Sequence, residues 1–293
     1  MRKDPNMSTN ARKVWFITGA SRGLGLSIAR DALERGDLVV ATARKAEAVT
    51  AALGARDNLL AVALDVTDEA QAVAAAQAAI DRFGRLDVVV NNAGYGLLAA
   101  VEEATADEVE RQFQTNVFGL LKVTRAVLPH LRRAGRGHII NISAIVGYAA
   151  AFPGWGIYGS TKFAVEGLTE TLALELAPLG IFATVVEPGF FRTDFLEQAS
   201  LRRATNEIDD YGSTVGAMRQ FANQVNHRQP GDPAKLSQAV LMLADCAKPP
   251  VRLPLGADTV AQIEQKNRFV DAELAQWRAV AQSTDHDEVG AGH

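Results

Sequence analysis

VWFITGASRGLG, residues 14–25, is the stretch of the sequence that decides the fold. Its first five residues are apolar or β-branched, as in a buried strand, and they lead directly into a glycine-rich turn in which a helix begins. Glycines at such a turn bring backbone N–H groups and the helix N-terminus against a phosphate. An ordinary glycine turn is the alternative. The position at the first strand-to-helix turn favours a site for a dinucleotide pyrophosphate.

Short apolar runs and helical patterns alternate along the rest of the chain. Predicted strands lie at residues 14–18, 38–43, 59–64, 86–91, 137–142 and 181–186, with a further candidate at 251–255. Predicted helices cover residues 23–35, 46–53, 68–83, 106–133, 157–177, 233–245 and 258–281. Strands that are apolar throughout are typical of a parallel sheet covered by helices on both faces. The sequence therefore predicts an α/β, doubly wound, Rossmann-like fold with a mostly parallel sheet in a single domain.

The predicted domain spans residues 14–283, without a linker or a repeat. Residues 1–13 are expected to form a flexible extension, with Met7 as an alternative start, and residues 284–293 a flexible tail. Residues 188–230 and the C-terminal helix at 258–281 are expected to shape the substrate side.

Composition excludes several classes of partner. The chain has 293 residues, of which 48% are hydrophobic and 22% charged, and its net charge is -4. It therefore lacks the basic field that would hold nucleic acid or an anionic membrane, and we expect neither partner. No secretory signal and no apolar run of membrane-spanning length are present, so a cytoplasmic location is predicted. The one cysteine, Cys246, is interpreted as a packed residue of an apolar helix. No metal site is predicted.

The end of the second predicted strand bears on the choice of cofactor. An acidic residue there would bind the ribose 2′-hydroxyl and repel a 2′-phosphate. The sequence instead has a small residue, Ala43, followed by Arg44 and Lys45, with Arg22 nearby in the glycine loop. These cations favour NADP(H) over NAD(H). The alternative is that they are solvated surface residues.

A tyrosine and a lysine four residues apart form the candidate catalytic pair. Tyr158 and Lys162 share one face of a predicted helix. Such a pair also arises by chance, as a half-buried phenol beside a surface amine. The surroundings favour a site, because Ser143 ends the fifth strand, Asn116 lies in the preceding helix, and NNAG (91–94) ends the fourth strand. Carboxyl ends of parallel strands line the ligand crevice of this fold.

With these motifs in this order, the sequence resembles the short-chain dehydrogenase/reductase family over residues 14–195. The motifs are TGASRGLG (18–25), Asp65-Val66, NNAG (91–94), Asn116, Ser143, YGSTK (158–162) and PGFFRT (188–193). The resemblance implies that Asn116, Ser143, Tyr158 and Lys162 form the catalytic tetrad. It also implies adenine contacts from the Asp65-Val66 pair and nicotinamide contacts from the PGFFRT segment. The predicted cofactor residues are Gly19, Ser21, Arg22, Gly23, Leu24, Gly25, Arg44, Asp65, Val66, Asn92, Ala93, Gly94, Tyr158, Lys162, Pro188, Gly189 and Thr193.

The expected chemistry is proton transfer at Tyr158 coupled to hydride transfer. A phenolate usable near pH 7 needs the pKa of the tyrosine lowered by about three units, or roughly 4 kcal/mol. One ammonium group at about 4 Å supplies roughly that amount. One departure affects Ser143, which lies fifteen residues before Tyr158, two more than is common in the family. Aligned on Gly147, Ala144 takes the usual serine position, so Ser143 serves only if the longer following loop re-aims it.

Aromatic and apolar residues dominate the predicted substrate pocket. The candidates are Tyr95, Leu97, Phe152, Trp155, Phe190 and Phe195, with Tyr211, Met218 and Phe221 as further possibilities. Such a lining favours a lipophilic or aromatic ketone or alcohol, unless these residues belong to the core. The PGFFRT and LPLG (253–256) segments are similar to the branch with hydroxysteroid and retinol dehydrogenases. The resemblance further implies a homodimer or homotetramer.

Two other functions use the same motifs in part. A cofactor-binding regulatory protein would need the glycine loop but not the catalytic residues. An epimerase or dehydratase on this fold would keep its nucleotide bound and show no net redox change. The presence of Asn116, Tyr158 and Lys162 together favours an oxidoreductase.

Overall fold

A computed structural model describes residues 12–286 of the chain, and within them a parallel sheet carries the fold. The strands are β1 (Val14–Ile17), β2 (Leu38–Ala43), β3 (Leu59–Ala63), β4 (Val88–Asn91), β5 (Gly96–Leu98), β6 (Gly137–Ile142), β7 (Ile181–Pro188), β8 (Leu201–Arg203) and β9 (Arg252–Leu255). The helices are α1 (Gly23–Glu34), α2 (Ala46–Leu53), α3 (Glu69–Phe83), α4 (Ala106–Phe113), α5 (Leu120–Ala134), α6 (Gly156–Leu176), α7 (Ala217–Val225), α8 (Pro233–Asp245) and α9 (Ala257–Gln282).

The central sheet has the order β3-β2-β1-β4-β6-β7-β9, and all of its pairings are parallel. Alternate residues of β1 enter separate cores, because successive side chains of a strand point to opposite faces. Trp15 and Ile17 pack with α1 and α8, whereas Val14 and Phe16 pack with α3 and α5. The predicted doubly wound fold in one domain is confirmed. The strand order reverses at β1, so the ligand crevice opens between the carboxyl ends of β1 and β4.

The structure interrupts the predicted helix over residues 106–133. After α4, a π-helical turn covers Gln114–Gly119, and α5 follows it. Asn116 lies in this turn. π-Helical turns inside helices often occur at functional sites, and the residue pattern alone does not distinguish one from a continuous helix.

Two short strands outside the central sheet were not predicted. β5 follows the turn after β4, β8 lies in the predicted substrate-loop region, and they pair in parallel with each other. Each has three residues, too few for a recognisable alternation. The pairing places the segment around β8 over the carboxyl ends of the central strands.

Two predictions at the edges of the domain need correction. Arg12 and Lys13 are not free, because the Arg12 guanidinium donates to the Gly36 carbonyl at 2.6 Å and the Lys13 main chain donates to Asp37 at 3.0 Å. Residues 1–11 and 287–293 lie outside the described part, so the flexible ends remain predictions.

Cys246 is exposed, not packed, because α8 ends at Asp245 and the cysteine has extended backbone angles.

Candidate active site

A cavity of about 1050 Å³ opens at the carboxyl ends of β1, β2, β4, β6 and β7. Nearly all of the predicted cofactor residues and all six main pocket candidates lie on its wall. Gly25 and Asn116 lie behind the wall, where they hold wall residues in place. The cavity is large enough for a dinucleotide together with a small substrate.

The glycine loop has a backbone that requires glycine at two positions. Gly19 has φ +66° and Gly23 has φ +58°, in the left-handed region that glycine adopts without strain. A side chain at Gly25 would overlap the Asn92 amide and lie 2.6 Å from the Gly19 carbonyl oxygen. Because these glycines carry no side chains, a phosphate at the start of α1 can come close to the backbone of the loop, as the binding of a dinucleotide requires.

One threonine joins the glycine loop to the turn after β4. The Thr18 hydroxyl accepts hydrogen bonds from the main-chain N–H groups of Asn92 (2.9 Å) and Ala93 (3.0 Å). The Asn92 amide donates in return to the Thr18 carbonyl at 2.9 Å. These bonds hold the NNAG turn close to the glycine loop, so that the two loops together form one side of the crevice.

The carboxyl end of β2 contributes the residues that the sequence suggested to the cavity wall. Ala43 is buried at the end of β2, and the exposed Arg44 follows it on the cavity wall. Arg22 also lines the cavity, and its guanidinium donates to the Ala199 carbonyl at 3.1 Å. Asp65 accepts two hydrogen bonds from Thr67, at 2.7 and 2.9 Å, which fix the turn after β3. A small residue and two cations therefore belong to the cavity wall.

Asn116 holds the chain after the NNAG turn. Its amide group donates to the Tyr95 carbonyl (2.9 Å) and the Thr161 hydroxyl (3.1 Å), and its Oδ1 accepts from the Tyr95 N–H (3.1 Å). Both amide protons are thus used, and one lone pair of Oδ1 remains. Because Thr161 precedes Lys162, Asn116 connects the turn after β4 to α6.

Tyr158 and Lys162 lie together on α6, with both side chains buried. The Lys162 ammonium is 5.7 Å from the centre of the Tyr158 ring and donates to the Ile142 carbonyl at 2.8 Å. Burial raises the pKa of the Tyr158 phenol and lowers the pKa of Lys162 to about 8. The phenolate is therefore disfavoured by burial, so positive charge close to the phenol oxygen is needed for proton transfer near neutral pH.

An acidic cluster lies one helical turn beyond Lys162. Glu166 and Glu187 are buried, and both accept from the Arg252 guanidinium, at 2.6 and 2.5 Å. Burial, together with the negative charge of Glu187, raises the pKa of Glu166 to about 8. The Glu166 charge in turn partly opposes the lowering of the Lys162 pKa by burial. The sequence reasoning missed this cluster, because its members come from α6, β7 and β9.

Ser143 lies on the cavity wall, and its catalytic role stays a prediction. Its buried hydroxyl interacts with the Glu166 carboxyl, where it opposes the rise of the pKa, and a side chain at Gly147 would lie 2.6 Å from the Oγ. The hydroxyl thus lies between the Gly147 turn and the backbone of α6. Ala144, by contrast, packs against the cluster that contains Tyr158. The wall at this strand end therefore includes both Ser143 and Ala144.

These positions predict opposite results for two variants. Ser143→Ala should lower kcat/KM by less than about threefold, because the Ser143 hydroxyl interacts with Glu166. Ala144→Ser should raise kcat/KM by about two- to tenfold, the usual worth of one added hydrogen bond. Steady-state kinetics on one carbonyl substrate would measure both. A loss of tenfold or more in Ser143→Ala, with unchanged thermal stability, would restore the role predicted for Ser143.

Aromatic residues surround the reacting end. Trp155 and Phe195 each lie with ring centres 5.7 Å from that of Tyr158, and Phe152 packs edge-on against Phe190. Tyr211, Met218 and Phe221 are absent from the cavity wall among the described residues. Tyr211 instead donates to Glu102, Met218 packs in the cluster around Tyr158, and Phe221 packs against Phe190.

The wall also contains polar residues that the sequence reasoning missed. Arg111 and Arg202 both line the cavity near Tyr95, where burial raises the pKa of the phenol and the two positive charges oppose that rise. Gln229 is a third polar residue on the wall. No motif marks any of them, and only the folded chain brings them to the cavity.

Three exposed side chains near the rim, those of Asp194, Glu197 and His227, lie close enough to share a cation. This cluster is a weak signal on its own, because exposed acidic groups often lie together without a metal ion.

Comparison with known proteins adds a decisive observation. The family model for short chain dehydrogenases matches residues 13–204, the part of the chain that carries the glycine loop, α6 and β8. The chain belongs to the short-chain dehydrogenase/reductase family. Oxidoreductase BOA17 of Botryotinia fuckeliana is 40% identical over 271 residues, covering 92% of this chain and 98% of that protein. A 3-ketodihydrosphingosine reductase of Bacteroides thetaiotaomicron is 36% identical over 247 residues, covering 83% and 88%.

Solved structures of this family agree with the fold. A short-chain dehydrogenase from Streptomyces avermitilis has a TM-score of 0.86 and 41% identity, covering 94% of this chain and all of that one. Two structural neighbours at 27% identity hold nicotinamide cofactors. ElxO holds NADP (TM-score 0.70; 86% and 100% covered), and a 3-ketoacyl-(acyl-carrier-protein) reductase from Brucella melitensis holds NADH (TM-score 0.69; 83% and 96%). The chain is therefore an oxidoreductase of a family that uses nicotinamide cofactors.

Proposed function

We propose that the protein is an NADP(H)-dependent oxidoreductase that interconverts a ketone or aldehyde and an alcohol on a mainly apolar substrate. The observation that carries this proposal is the placement of Tyr158 and Lys162 on the wall of the cavity that the glycine loop and the NNAG turn also line. The chemistry and the nucleotide site therefore share one space, as a redox reaction with a nicotinamide cofactor requires.

The described residues fit such a cofactor. The glycine loop and the N-terminus of α1 would hold the pyrophosphate, and Arg22 and Arg44 would pair with a 2′-phosphate. Pro188, Gly189 and Thr193 would hold the nicotinamide end, by resemblance to the family. When bound, the cofactor supplies or accepts the hydride. Ala43 leaves room for the phosphate where an acidic side chain would repel it.

Tyr158 is proposed to move the proton. In the reducing direction its O–H bond breaks, and the proton passes to the substrate oxygen as that oxygen becomes a hydroxyl; in the oxidising direction the phenolate takes the proton back. Lys162 stabilises the phenolate by its charge, worth about 4 kcal/mol at about 4 Å and an effective dielectric of 20. Asn116, through the remaining lone pair of Oδ1, can bind a water that returns protons from solvent.

An apolar substrate is supported by the side chains around Tyr158. Trp155 and Phe195 flank the tyrosine, and Phe152 and Phe190 extend the aromatic wall. The relative from Bacteroides is named for the reduction of a 3-keto group, which agrees with a carbonyl substrate. The likeness to the branch with hydroxysteroid and retinol dehydrogenases remains a prediction.

A substrate screen tests the proposal. Purified protein would be mixed with aliphatic, aromatic and steroidal ketones, and with the matching alcohols, in the presence of either cofactor, and the absorbance of the reduced nicotinamide followed. We expect turnover of apolar ketones with NADPH. Tight binding of the cofactor without turnover would favour a regulatory protein, and a co-purified nucleotide with no net redox change would favour an epimerase or dehydratase.

We further propose that the protein assembles as a homodimer or homotetramer. Phe118 on the π-helical turn, and Phe163 and Leu174 on α6, expose large apolar side chains on one pair of neighbouring elements. The α6 residues Val165 and Leu176 instead pack inward. Light scattering of the purified protein would give the number of subunits. Among residues 12–286, no helix is both long enough and apolar enough to cross a bilayer, and the cytoplasmic location stays a proposal.

A further inference from the structure

Two arginines on the cavity wall have side chains that a ligand can reach. Arg111 lies on α4 and Arg202 on β8, and both are exposed and line the cavity. Among residues 12–286, Arg202 belongs to no ion pair, and Arg111 pairs with Asp107 at a long 3.8 Å. An exposed pair of this kind is worth little, because both charges stay in water. Neither guanidinium group is therefore strongly bound by the described chain.

Strand pairing places Arg202 beside the reacting end of the cavity. It is the Cα partner of Leu97, which also lines the cavity, and paired residues of neighbouring strands point to the same face of a sheet. The preceding residue, Leu201, packs in the cluster that contains Tyr158 and Trp155. Arg202 therefore lies one residue from the aromatic cluster, on the cover that β5 and β8 form.

Tyr95 completes this part of the wall. Gln112, the neighbour of Arg111 on α4, donates to the Tyr95 carbonyl at 2.9 Å and so holds α4 against this segment. The positive charges of Arg111 and Arg202 both oppose the rise that burial causes in the pKa of the Tyr95 phenol. The negative charge of Glu108 raises that pKa by a smaller amount. The phenol therefore lies in a region where positive charge prevails.

Charge identifies the class of ligand that this region suits. The chain as a whole has a net charge of -4, so the positive region is local and not part of a basic surface. Glu108 is engaged elsewhere, because its carboxylate accepts from the Thr105 N–H at 2.9 Å and from the Thr205 hydroxyl at 3.1 Å. Guanidinium groups bind carboxylates and phosphates through charged hydrogen bonds, and a phenol adds one donor. An anionic group would therefore find several donors here, next to a wall that accepts an apolar body.

We propose that Tyr95, Arg111 and Arg202 bind a carboxylate at the far end of an apolar carbonyl substrate, an inference that rests on the proposed function. The preferred substrate is then a keto acid with an apolar chain, or the matching hydroxy acid. Its carbonyl lies at Tyr158 and its carboxylate between α4 and β8. The arginines thereby select which carbon of the chain meets the hydride.

Kinetics on matched acids and esters test the assignment. Straight-chain keto acids of increasing length and their methyl esters would be reduced with NADPH, since the ester keeps the apolar chain and removes the charge. The acid of the best-fitting length should have a kcat/KM about tenfold above that of its ester, mainly through KM, and added salt should narrow the difference because it screens exposed charges.

Two substitutions locate the charges that cause this preference. Arg111→Gln and Arg202→Gln should each lower kcat/KM for the acid by about threefold, and the double variant by about tenfold, as expected for exposed charge pairs. The values for the ester should change by less than about twofold, because it has no charge to lose. The double variant should therefore treat acid and ester alike.

Arg132→Gln on α5 is the matched control, because Arg132 is exposed and absent from the cavity wall among the described residues. It should alter neither value. Equal kcat/KM for acid and ester in the unaltered protein, or a preference that the double variant retains, would overturn the assignment. Equal losses for acid and ester in the double variant, with a raised Kd for NADPH, would overturn it in favour of a contact with a cofactor phosphate. If the unaltered protein turns over no ketone at all, the proposed function itself fails and this inference with it, which is a distinguishable result.

Discussion

Tyr158→Phe should lower kcat by at least about a hundredfold, the lower end of what a positioned acid or base contributes. Phenylalanine keeps the ring between Trp155 and Phe195 and removes only the hydroxyl that exchanges the proton. The packing around α6 should therefore persist, and the Kd for NADPH should change by no more than about threefold. Single-turnover and steady-state assays with the best ketone of the screen, together with a cofactor titration, measure both quantities.

Tyr211→Phe provides the matched control, because that tyrosine donates its hydroxyl to Glu102 at the surface and lies off the cavity wall. Its activity should equal that of the unaltered protein. If Tyr158→Phe kept more than about a hundredth of the rate, another group would have to supply the proton. Lys162 would then be the first candidate, because burial lowers its pKa to about 8.

Reversal of cofactor preference is the second large effect we expect. The double variant Ala43→Asp, Arg44→Ser places a carboxylate where the ribose 2′-hydroxyl would bind and removes a cation that pairs with a 2′-phosphate. Charged hydrogen bonds are worth about 1.5–3 kcal/mol each. The ratio of kcat/KM for NADPH to that for NADH should therefore fall on the order of a hundredfold. Steady-state kinetics with each cofactor in turn gives the ratio.

Lys45→Ser separates this effect from a general loss of positive charge. Lys45 follows Arg44 directly and is exposed, but it is absent from the cavity wall among the described residues. Its replacement should leave the ratio within about twofold. An unaltered ratio in the double variant would show that Arg44 is only a solvated surface cation, the alternative that the sequence left open.

Local signals explain which parts of the molecule were predictable. The β1 strand and the glycine loop are adjacent in sequence, so apolar residues followed by glycines suffice to predict them. Tyr158 and Lys162 are one helical turn apart, and their shared face follows from helix geometry alone. The central sheet was predictable for the same reason, because each strand is a continuous apolar run between helical patterns.

Long-range arrangement explains the rest. Gln229 and Arg202 reach the cavity through strand pairing and bridges that no short pattern encodes. For Ser143, a strand end and a loop length predict its place on the cavity wall but do not decide the direction of its hydroxyl. Cys246 is the first residue after the apolar helix α8, and this position outside the helix exposes its side chain. The acidic cluster beside Lys162 joins three separate elements and leaves no local trace.

The pairing of β5 with β8 bears on the order in which the molecule folds. These strands of three residues each are distant in sequence, so closing the loop between them costs chain entropy for a small gain in hydrogen bonds. The central sheet and its helices, with more extensive pairing and larger cores, can form without this contact. We therefore expect the nucleotide half of the crevice to assemble first, and the cover over the reacting end to close last and to be the first to unfold.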